Sequence, residues 1–241
     1  MRLIIRHKIE DSLKLPLNYH HILQAIIYNS MKHFTNYSDF LHDEGFGVGK
    51  RNYKMFTFGL LNGRYTIRGK DIIFFDEVSF EVRSPDVFLI RLLAQNIMDN
   101  GICYLSQRFE KVDVYIADTT IEIEEMLIQM NSPICVYSTD EESRKTYYYN
   151  PDEDYFSEMV QKNFFRKYTA YYGIEPQSNI YIEPVKITPK DKYVTKYNGI
   201  YIGAWKGIYN LSGQRKYLDF LFNTGIGSKN SQGFGMFNIL D

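Results

Sequence analysis

Strand and helix patterns follow one another in the same order in the two halves of the chain. In the first half, strand patterns cover residues 2–9, 53–60, 71–82 and 102–117, and helix patterns lie around residues 22–31 and 87–98. The first helix is indicated by apolar residues at helical spacing: Ile22, Leu23, Ile26, Ile27 and Met31. Asn18 is predicted to cap it, and the second helix is predicted to begin at Ser84–Pro85 and stop at Asn100–Gly101. The order is therefore β-α-β-β-α-β.

The second half has the same order with a different sequence. A strand is predicted over residues 133–138 with residues 146–149 as its hairpin partner, followed by a helix over 152–172 that Gly173 closes. Further strands are predicted over 179–187, 197–211 and 234–240, with a short helix over 214–223 before the last of them. This order is that of the ferredoxin-like split βαβ unit. The predicted fold is therefore α+β, with two tandem ferredoxin-like (βαββαβ, RRM-like) domains, residues 1–119 and 120–241.

The composition indicates a globular chain and excludes several other classes. Hydrophobic residues make up 44% of the 241 residues and charged residues 24%, which excludes a disordered or collagen-like chain. Two cysteines, Cys103 and Cys135, cannot form a disulfide scaffold or a four-cysteine zinc site. No apolar run reaches the ~18 residues of a membrane span, and the first apolar stretch is too short for a signal peptide. We therefore expect a soluble, cytoplasmic protein with no membrane partner.

The net charge of −1 conceals two segments of opposite sign. Residues 120–160 contain ten acidic and two basic residues, whereas residues 186–230 contain eight basic and two acidic residues. Each run is compatible with a solvated face. The basic segment also runs into a glycine-rich stretch, and this combination favours binding to a polyanion.

The stretch from Gly225 to Gly235, here called the glycine-rich loop, places two pairs of glycines around a polar centre that contains Lys229. Exposed backbone N–H groups in such a loop can bind phosphates. The spacing matches neither a dinucleotide-binding fingerprint nor a Walker A loop. Two interpretations stay open from these residues alone: a phosphate-binding loop, and a tight turn that packs a helix against a strand.

The histidines give no indication of a bound metal. All five lie within the first 42 residues and none has the spacing of a metal-binding motif, so we predict neither a metal nor a cofactor. His42 lies in a glycine-flanked loop, where a histidine can titrate near neutral pH. Tyr28 lies off the apolar helical stripe, and Lys54 ends a basic run. Each fits an ordinary structural role, but an imidazole, a hydroxyl and an ammonium beside a phosphate site suffice for phosphodiester transesterification.

The glycine-rich loop resembles the C-terminal signature of the repeat-associated RNA-binding proteins of CRISPR systems. The segment Gly199–Trp205 is similar to the strand upstream of that loop in the sixth Cas family, the endoribonucleases that cut precursor CRISPR RNA within its repeats. Four N-terminal segments are similar to that family in the same order: Leu15–Tyr19, Gln24–Asn29, Leu41–Gly45 and Lys54–Phe58. The resemblance spans the whole chain and is weakest over residues 118–178.

This resemblance implies a metal-independent endoribonuclease in which the ribose 2′-hydroxyl attacks the adjacent phosphate. The products carry 2′,3′-cyclic phosphate and 5′-hydroxyl ends. The family's catalytic residues fall on His42 as the acid, Tyr28 as an aid to deprotonation of the 2′-hydroxyl, and Lys54 as the balancing charge. RNA-backbone contacts are predicted for the glycine-rich loop and two basic residues, namely Gly225, Gly227, Lys229, Asn230, Ser231, Gly233, Gly235, Arg51 and Lys206.

The expected partner is the repeat of precursor CRISPR RNA, with a CRISPR effector complex as a second candidate. The alternative function is a non-catalytic repeat-RNA-binding protein that delivers guide RNA to such a complex. A ferredoxin-like interaction module without nucleic acid leaves the basic segment and the glycine-rich loop unexplained. The oligomeric state stays open between monomer and homodimer.

Overall fold

Strand β1 (Arg2–Pro16) shows how alternation in the sequence builds the first sheet. Leu3 and Ile5 are buried, while Arg6 and Lys8 are exposed. This period of two turns one side of the strand to the core and the other to solvent. Pairing continues beyond an irregularity in the middle of the strand, so β1 is longer than the predicted strand over residues 2–9.

The computed structural model describes residues 1–32, 37, 44–49, 51–197 and 199–240. In the first half its helices are α1 (His20–Asn29) and α2 (Val87–Asn100). The strands that follow β1 are β2 (Phe46–Val48), β3 (Arg51–Tyr53), β4 (Thr57–Phe58), β5 (Asn62–Arg68), β6 (Asp71–Arg83), β7 (Ile102–Tyr104), β8 (Gln107–Phe109) and β9 (Asp113–Ala117).

The second half contains the helices α3 (Asp154–Tyr172) and α4 (Arg215–Thr224), with short 3-10 helices at Pro189–Asp191 and Asn230–Gln232. Its strands are β10 (Glu125–Met130), β11 (Tyr137–Thr139), β12 (Thr146–Tyr148), β13 (Tyr181–Lys186), β14 (Lys192–Tyr197), β15 (Ile200–Trp205), β16 (Ile208–Ser212) and β17 (Phe237–Ile239). Among the described helices, none is both long and apolar enough to cross a membrane.

The two halves form sheets with the same strand order. The first sheet has the order β4-β6-β1-β9, with β5 also paired to β6, and the second has the order β13-β16-β10-β17. The pairings in both sheets are antiparallel. In each half, the first and third strands of the β-α-β-β-α-β unit lie side by side at the centre. The prediction of an α+β fold with two tandem ferredoxin-like units is confirmed, and the boundary between residues 119 and 120 stays a prediction.

The first strand of the second unit differs from the sequence prediction. Residues 133–138 were expected to form it, but the sheet strand is β10, and Ile134 and Cys135 make only isolated bridges to Trp205 and Ser228. The strands predicted over 102–117 and 197–211 are each divided between hairpin arms and a sheet strand. The predicted pairing of the segment at 146–149 with the preceding strand is confirmed by the β11–β12 hairpin.

The predicted starts of both helices in the first unit are also displaced. Asn18 does not cap α1; its side-chain amide donates instead to the carbonyl of Lys196 at 3.1 Å. Asp86, not Ser84, caps α2, because its carboxylate accepts from two N–H groups of the first turn. The hydroxyl of Ser84 donates to the carbonyl of Met55 at 2.7 Å. Tertiary hydrogen bonds therefore occupy the two polar side chains that were expected to act as caps.

Each half has its own hydrophobic core, and a buried arginine connects the two. One core is formed by residues between Leu3 and Tyr104, and the other chiefly by residues between Ile121 and Phe237. Arg83, at the end of β6, is fully buried. Its Nη1 donates to the carbonyl of Phe237 in β17 at 2.6 Å. The first sheet is thereby bonded directly to the second.

Candidate nucleic-acid interface

A cleft of about 360 Å³ lies where the two units meet. The first unit contributes strand β3 and the segment that follows it, from Arg51 to Phe56. The second contributes Asn163 and Lys167 of α3 together with the polar centre of the glycine-rich loop, Ser228–Gln232. The cleft therefore exists only because the two units are packed against each other.

The side chains around this cleft carry positive charge. Arg51, Lys54, Lys167 and Lys229 line it, and no carboxylate is found among its described lining residues. The ammonium of Lys229 lies 5.0 Å from the centre of the Tyr137 ring, which also lines the cleft. A cationic cleft of this kind suits the phosphate backbone of a nucleic acid.

The glycines of the loop serve close packing. A Cβ atom at Gly235 would lie 2.0 Å from the carbonyl oxygen of Ile226, and one at Gly233 would lie 2.6 Å from the ring of Phe58. Both glycines have φ near +80°, at +79° and +85° respectively. Like Gly225 and Gly227, they are buried. Direct contact of these four glycines with RNA stays a prediction, and their observed role is to shape the loop.

The polar centre of the loop lines the cleft and contains backbone donors that no described residue accepts from. Several N–H groups of the loop bond internally, such as that of Ser228 to the carbonyl of Cys135 at 2.8 Å. The N–H groups of Lys229, Asn230 and Ser231 form no hydrogen bond with any described residue. Consecutive free N–H groups beside a lysine can bind a phosphate. The two interpretations of the loop therefore apply to different parts of it: the glycines pack, and the centre between them can bind.

Helix α1 of the first unit holds the loop from the other side. Gln24 donates from Nε2 to the carbonyl of Ser231 at 2.7 Å. His20 lies 3.2 Å through Nδ1 from the carbonyl of Gln232 and 3.0 Å through Nε2 from the hydroxyl of Tyr193. A carbonyl only accepts, so Nδ1 carries the proton and Nε2 accepts from the tyrosine. Burial lowers the pKa of His20 to about 4, which keeps the ring neutral in this role.

Two side-chain amide oxygens at the cleft are buried without a partner among the described residues. Oδ1 of Asn163 and Oε1 of Gln232 are buried, and neither accepts a hydrogen bond from the described part of the chain. Buried acceptors of this kind are costly to leave unpaired. Hydroxyl or amino groups of a bound nucleotide are suitable donors for them.

Two of the three predicted catalytic residues, Tyr28 and Lys54, lie within the described part of the chain. His42 lies outside the described residues. Lys54 lines the cleft, and its Nζ lies 3.3 Å from the position that a Cβ atom would take at Gly45. Tyr28 lies near the end of α1, half-buried, with its ring 5.9 Å from that of Phe56, which itself lines the cleft. Burial, and secondarily Tyr197, raises the pKa of Tyr28 to about 12.

The two basic residues predicted to bind RNA outside the loop lie in different places. Arg51 is exposed on β3 and lines the cleft. Lys206 lines a second cleft instead, of about 440 Å³, together with Tyr19 and Tyr65. Its ammonium lies 5.9 Å from the centre of the Tyr193 ring. Lys206 therefore does not share the cleft of the glycine-rich loop, and its contact with RNA stays a prediction.

Sequence reasoning missed His20, Gln24, Asn163 and Lys167. Asn163 and Lys167 are four residues apart on α3 and so lie on one face of the helix. Lysine is rarely buried without a partner. A lysine in a predominantly aromatic stretch of helix, Phe164–Tyr168, is the one signal that the sequence offers.

The fold and the cleft together define a tandem ferredoxin-like protein with a cationic cleft that is lined in part by a glycine-rich loop. Residues 116–239 match the family model described as CRISPR associated protein Cas6, C-terminal. This match covers just over half of the chain, which therefore belongs to the Cas6 family.

Known relatives extend the similarity to the whole chain. A protein of Methanocaldococcus jannaschii, CRISPR-associated endoribonuclease Cas6 1, is 26% identical over 98% of this chain and 91% of its own. CRISPR-associated endoribonuclease Cas6 of Pyrococcus furiosus is also 26% identical, over 99% of this chain and 90% of its own. A solved structure described as "An RAMP protein binding different RNA substrates" has a TM-score of 0.83 at 20% identity and covers 100% of both chains. This structural likeness supports the fold.

Proposed function

We propose that this chain is an endoribonuclease that cleaves precursor CRISPR RNA within its repeats. The observation that carries the proposal is the cationic cleft between the units, which Arg51 and Lys54 line together with Lys229–Ser231, whose N–H groups have no acceptor among the described residues. Membership of the Cas6 family and the two relatives named as endoribonucleases support the activity. The proposal places the chain in the cytoplasm, where such transcripts are made.

The proposed reaction is a transesterification within the RNA. The ribose 2′-hydroxyl loses its proton to solvent as its oxygen attacks the adjacent phosphorus, the bond from phosphorus to the 5′-oxygen breaks, and a 2′,3′-cyclic phosphate forms. His42 gives a proton to the departing 5′-oxygen, which becomes a hydroxyl. Lys54 and the free N–H groups of the loop balance the charge that develops on the phosphate oxygens.

Tyr28 suits hydrogen bonding better than proton abstraction. With a pKa of about 12, only about one such phenol in 10⁵ is ionised at pH 7, and a phenolate base is correspondingly rare. The neutral hydroxyl can still donate to a phosphate oxygen or orient the ribose. We therefore propose Tyr28 as a positioning group, with solvent water taking the proton of the 2′-hydroxyl.

A second candidate function is delivery of guide RNA to a CRISPR effector complex without cleavage. The same cationic cleft favours this function, because only the set His42, Tyr28 and Lys54 distinguishes an enzyme from a binding protein. The two functions share the repeat RNA as partner. They differ in whether the RNA is cut.

The test is incubation of the purified protein with end-labelled repeat RNA in excess EDTA, followed by identification of the product ends. We expect cleavage at one position with a cyclic phosphate on one product and a 5′-hydroxyl on the other. The matched control is the same RNA with a 2′-deoxy nucleotide at the cut site, which should be bound but not cut. A requirement for Mg²⁺, or a 5′-phosphate product, contradicts the mechanism. Tight binding without cleavage favours the delivery function.

A further inference from the structure

Lys167 is a buried cation beneath the glycine-rich loop. Its side chain lies on α3 and is 2% exposed. The ammonium donates to the carbonyl of Gly225 and, at 3.0 Å, to Oδ1 of Asn230. These two residues lie at the start and in the polar centre of the loop. One side chain therefore holds both parts of the loop in place.

Asn230 extends this contact to the rest of the loop. Its Nδ2 donates to the carbonyls of Ile226 and Phe234, each at 3.1 Å. Oδ1 is thereby directed towards Lys167. The backbone N–H of Asn230 is one of the free donors at the cleft. A change at the ammonium of Lys167 therefore acts directly on the side chain of a residue whose backbone N–H has no acceptor among the described residues.

Within the described part of the chain, Lys167 has no compensating negative charge. No described carboxylate forms an ion pair with Lys167. The charged groups that line the same cleft are Arg51, Lys54 and Lys229, and Arg166 precedes Lys167 on α3. Burial lowers the pKa of Lys167 from its ordinary value of 10.5 to about 7. A fraction of the free protein therefore carries a neutral amine here at neutral pH.

The groups packed on Lys167 from helix α4 are uncharged. The ring of Phe220 lies 6.0 Å from its Nζ, and Thr224 lines the same cleft. Among the described residues around this ammonium no carboxylate is found, so the cleft is the route that we consider for negative charge. A phosphate bound in the cleft favours the charged form of a buried lysine, since the dielectric screening there is weak.

We propose that Lys167 is a positioning residue that couples RNA binding to proton uptake: bound RNA charges it, and the charged ammonium fixes the glycine-rich loop in its binding conformation. This inference rests on the RNA-binding part of the proposed function. It does not require the RNA to be cut. The ligand class is a single RNA backbone whose phosphates enter the cleft.

The test compares wild type with Lys167→Met on repeat RNA that carries a 2′-deoxy nucleotide at the mapped cut site. Affinity is measured by fluorescence anisotropy from pH 6.5 to 8.0, where the RNA bases do not titrate. We expect wild-type affinity to fall about fivefold more over this range than that of Lys167→Met. Calorimetry at pH 7.5 in buffers of different ionisation enthalpy should show uptake of about half a proton or more by wild type. The variant should lack that uptake.

Two further variants separate a charge effect from damage to the loop. Lys167→Arg carries its charge at all these pH values, so its binding should lose the pH dependence specific to wild type. Asn230→Asp places a carboxylate beside the ammonium and should move the midpoint of the pH profile upward by about one pH unit or more. Thermal melts of each variant report whether it folds.

The outcomes distinguish this inference from the proposed function. Equal proton uptake by wild type and Lys167→Met overturns the role of Lys167 while leaving RNA binding intact. An unchanged midpoint in a folded Asn230→Asp protein overturns it as well. Failure of wild type to bind repeat RNA at any of these pH values overturns the RNA-binding proposal and the inference with it.

Discussion

Replacement of Arg83 by methionine is expected to destabilise the protein by about 3 kcal/mol. The guanidinium is fully buried, with Nη1 and Nη2 donating to the Phe237 carbonyl at 2.6 Å and to Oδ1 of Asn238 at 2.9 Å. It also lies 3.9 Å from the centre of the Phe222 ring. Methionine can occupy the space against that ring, but it donates no hydrogen bonds. Acceptors of the second sheet are then left without their donors from the first.

The expected size of the destabilisation depends on the surroundings of Glu81, the carboxylate that pairs with Arg83. Removing one member of a buried ion pair costs about 3–5 kcal/mol. The lower end applies here because Glu81, which Arg83 contacts at 2.6 Å, also has Arg2 at 3.8 Å and is 15% exposed. In chains of this size, about 1 kcal/mol shifts the melting temperature by about 2–4 °C, so we expect a fall of roughly 6–12 °C.

The assay is thermal unfolding followed by circular dichroism, with the fluorescence of Trp205, the single tryptophan, as a probe of the second unit. The matched control is Arg64→Met. Arg64 pairs with Asp76 at a similar distance, 2.7 Å, but the two side chains are 71% and 66% exposed. Water and salt screen such a pair, so this variant should melt close to wild type. Similar losses in the two variants, or none in Arg83→Met, would refute the argument that burial gives Arg83 its effect.

Three further predictions concern the cleft. Lys229→Ala should weaken RNA binding and lower the slope of log affinity against log salt by about one unit or somewhat less. The control is Lys190→Ala, which lies outside the described cleft lining and should leave the slope unchanged. Equal slopes in wild type and both variants contradict a phosphate contact by Lys229. His42→Ala should slow single-turnover cleavage by about 10²–10⁴ with little change in RNA affinity, and an equally fast variant removes His42 from the mechanism. Lys167 has a pKa of about 7 in the folded protein and an ordinary value of 10.5. Between these pH values, and without RNA, the folded protein binds fewer protons than the unfolded chain. The free energy of unfolding should therefore rise with pH across this window. Denaturant titrations at pH 7 and 9 should show this rise in wild type and a smaller one in Lys167→Met, and equal rises would contradict it.

The sequence was sufficient to predict the order of elements, because that order depends on local periodicity. The main error of the sequence-based prediction was to miss β10, because its acidic neighbours were interpreted as part of a solvated segment. In the structure Met126, Ile128 and Met130 are buried on one side of this strand, while Glu125 and Gln129 face outward. Charged residues on the open face of a strand are compatible with a place at the centre of a sheet. The apolar run after Pro133 was therefore assigned the position that belongs to β10.

The candidate site was predictable only where a motif is continuous in sequence. The glycine-rich loop is such a motif, and its position at the cleft agrees with the polyanion-binding interpretation. Lys167 and His20 approach that loop from helices far away in the chain, and their roles depend on burial that no local pattern reports. For the same reason the sequence could not separate the packed glycines from the polar centre between them.

The order in which the chain is synthesised gives the interface between the units a further consequence. Residues between Leu3 and Tyr104 complete the first core, so a nascent chain can close this core long before the glycine-rich loop leaves the ribosome. The β2–β3 hairpin that lines one side of the cleft has then already been synthesised, but the other side, Ser228–Gln232, which is proposed to bind phosphate, is translated more than a hundred residues later. A polypeptide released between these points contains the residues of the first core but only one side of the cleft. The cleft proposed to bind RNA therefore forms only after the glycine-rich loop has been synthesised, and a product that stops short of Ser228 lacks one of its two sides.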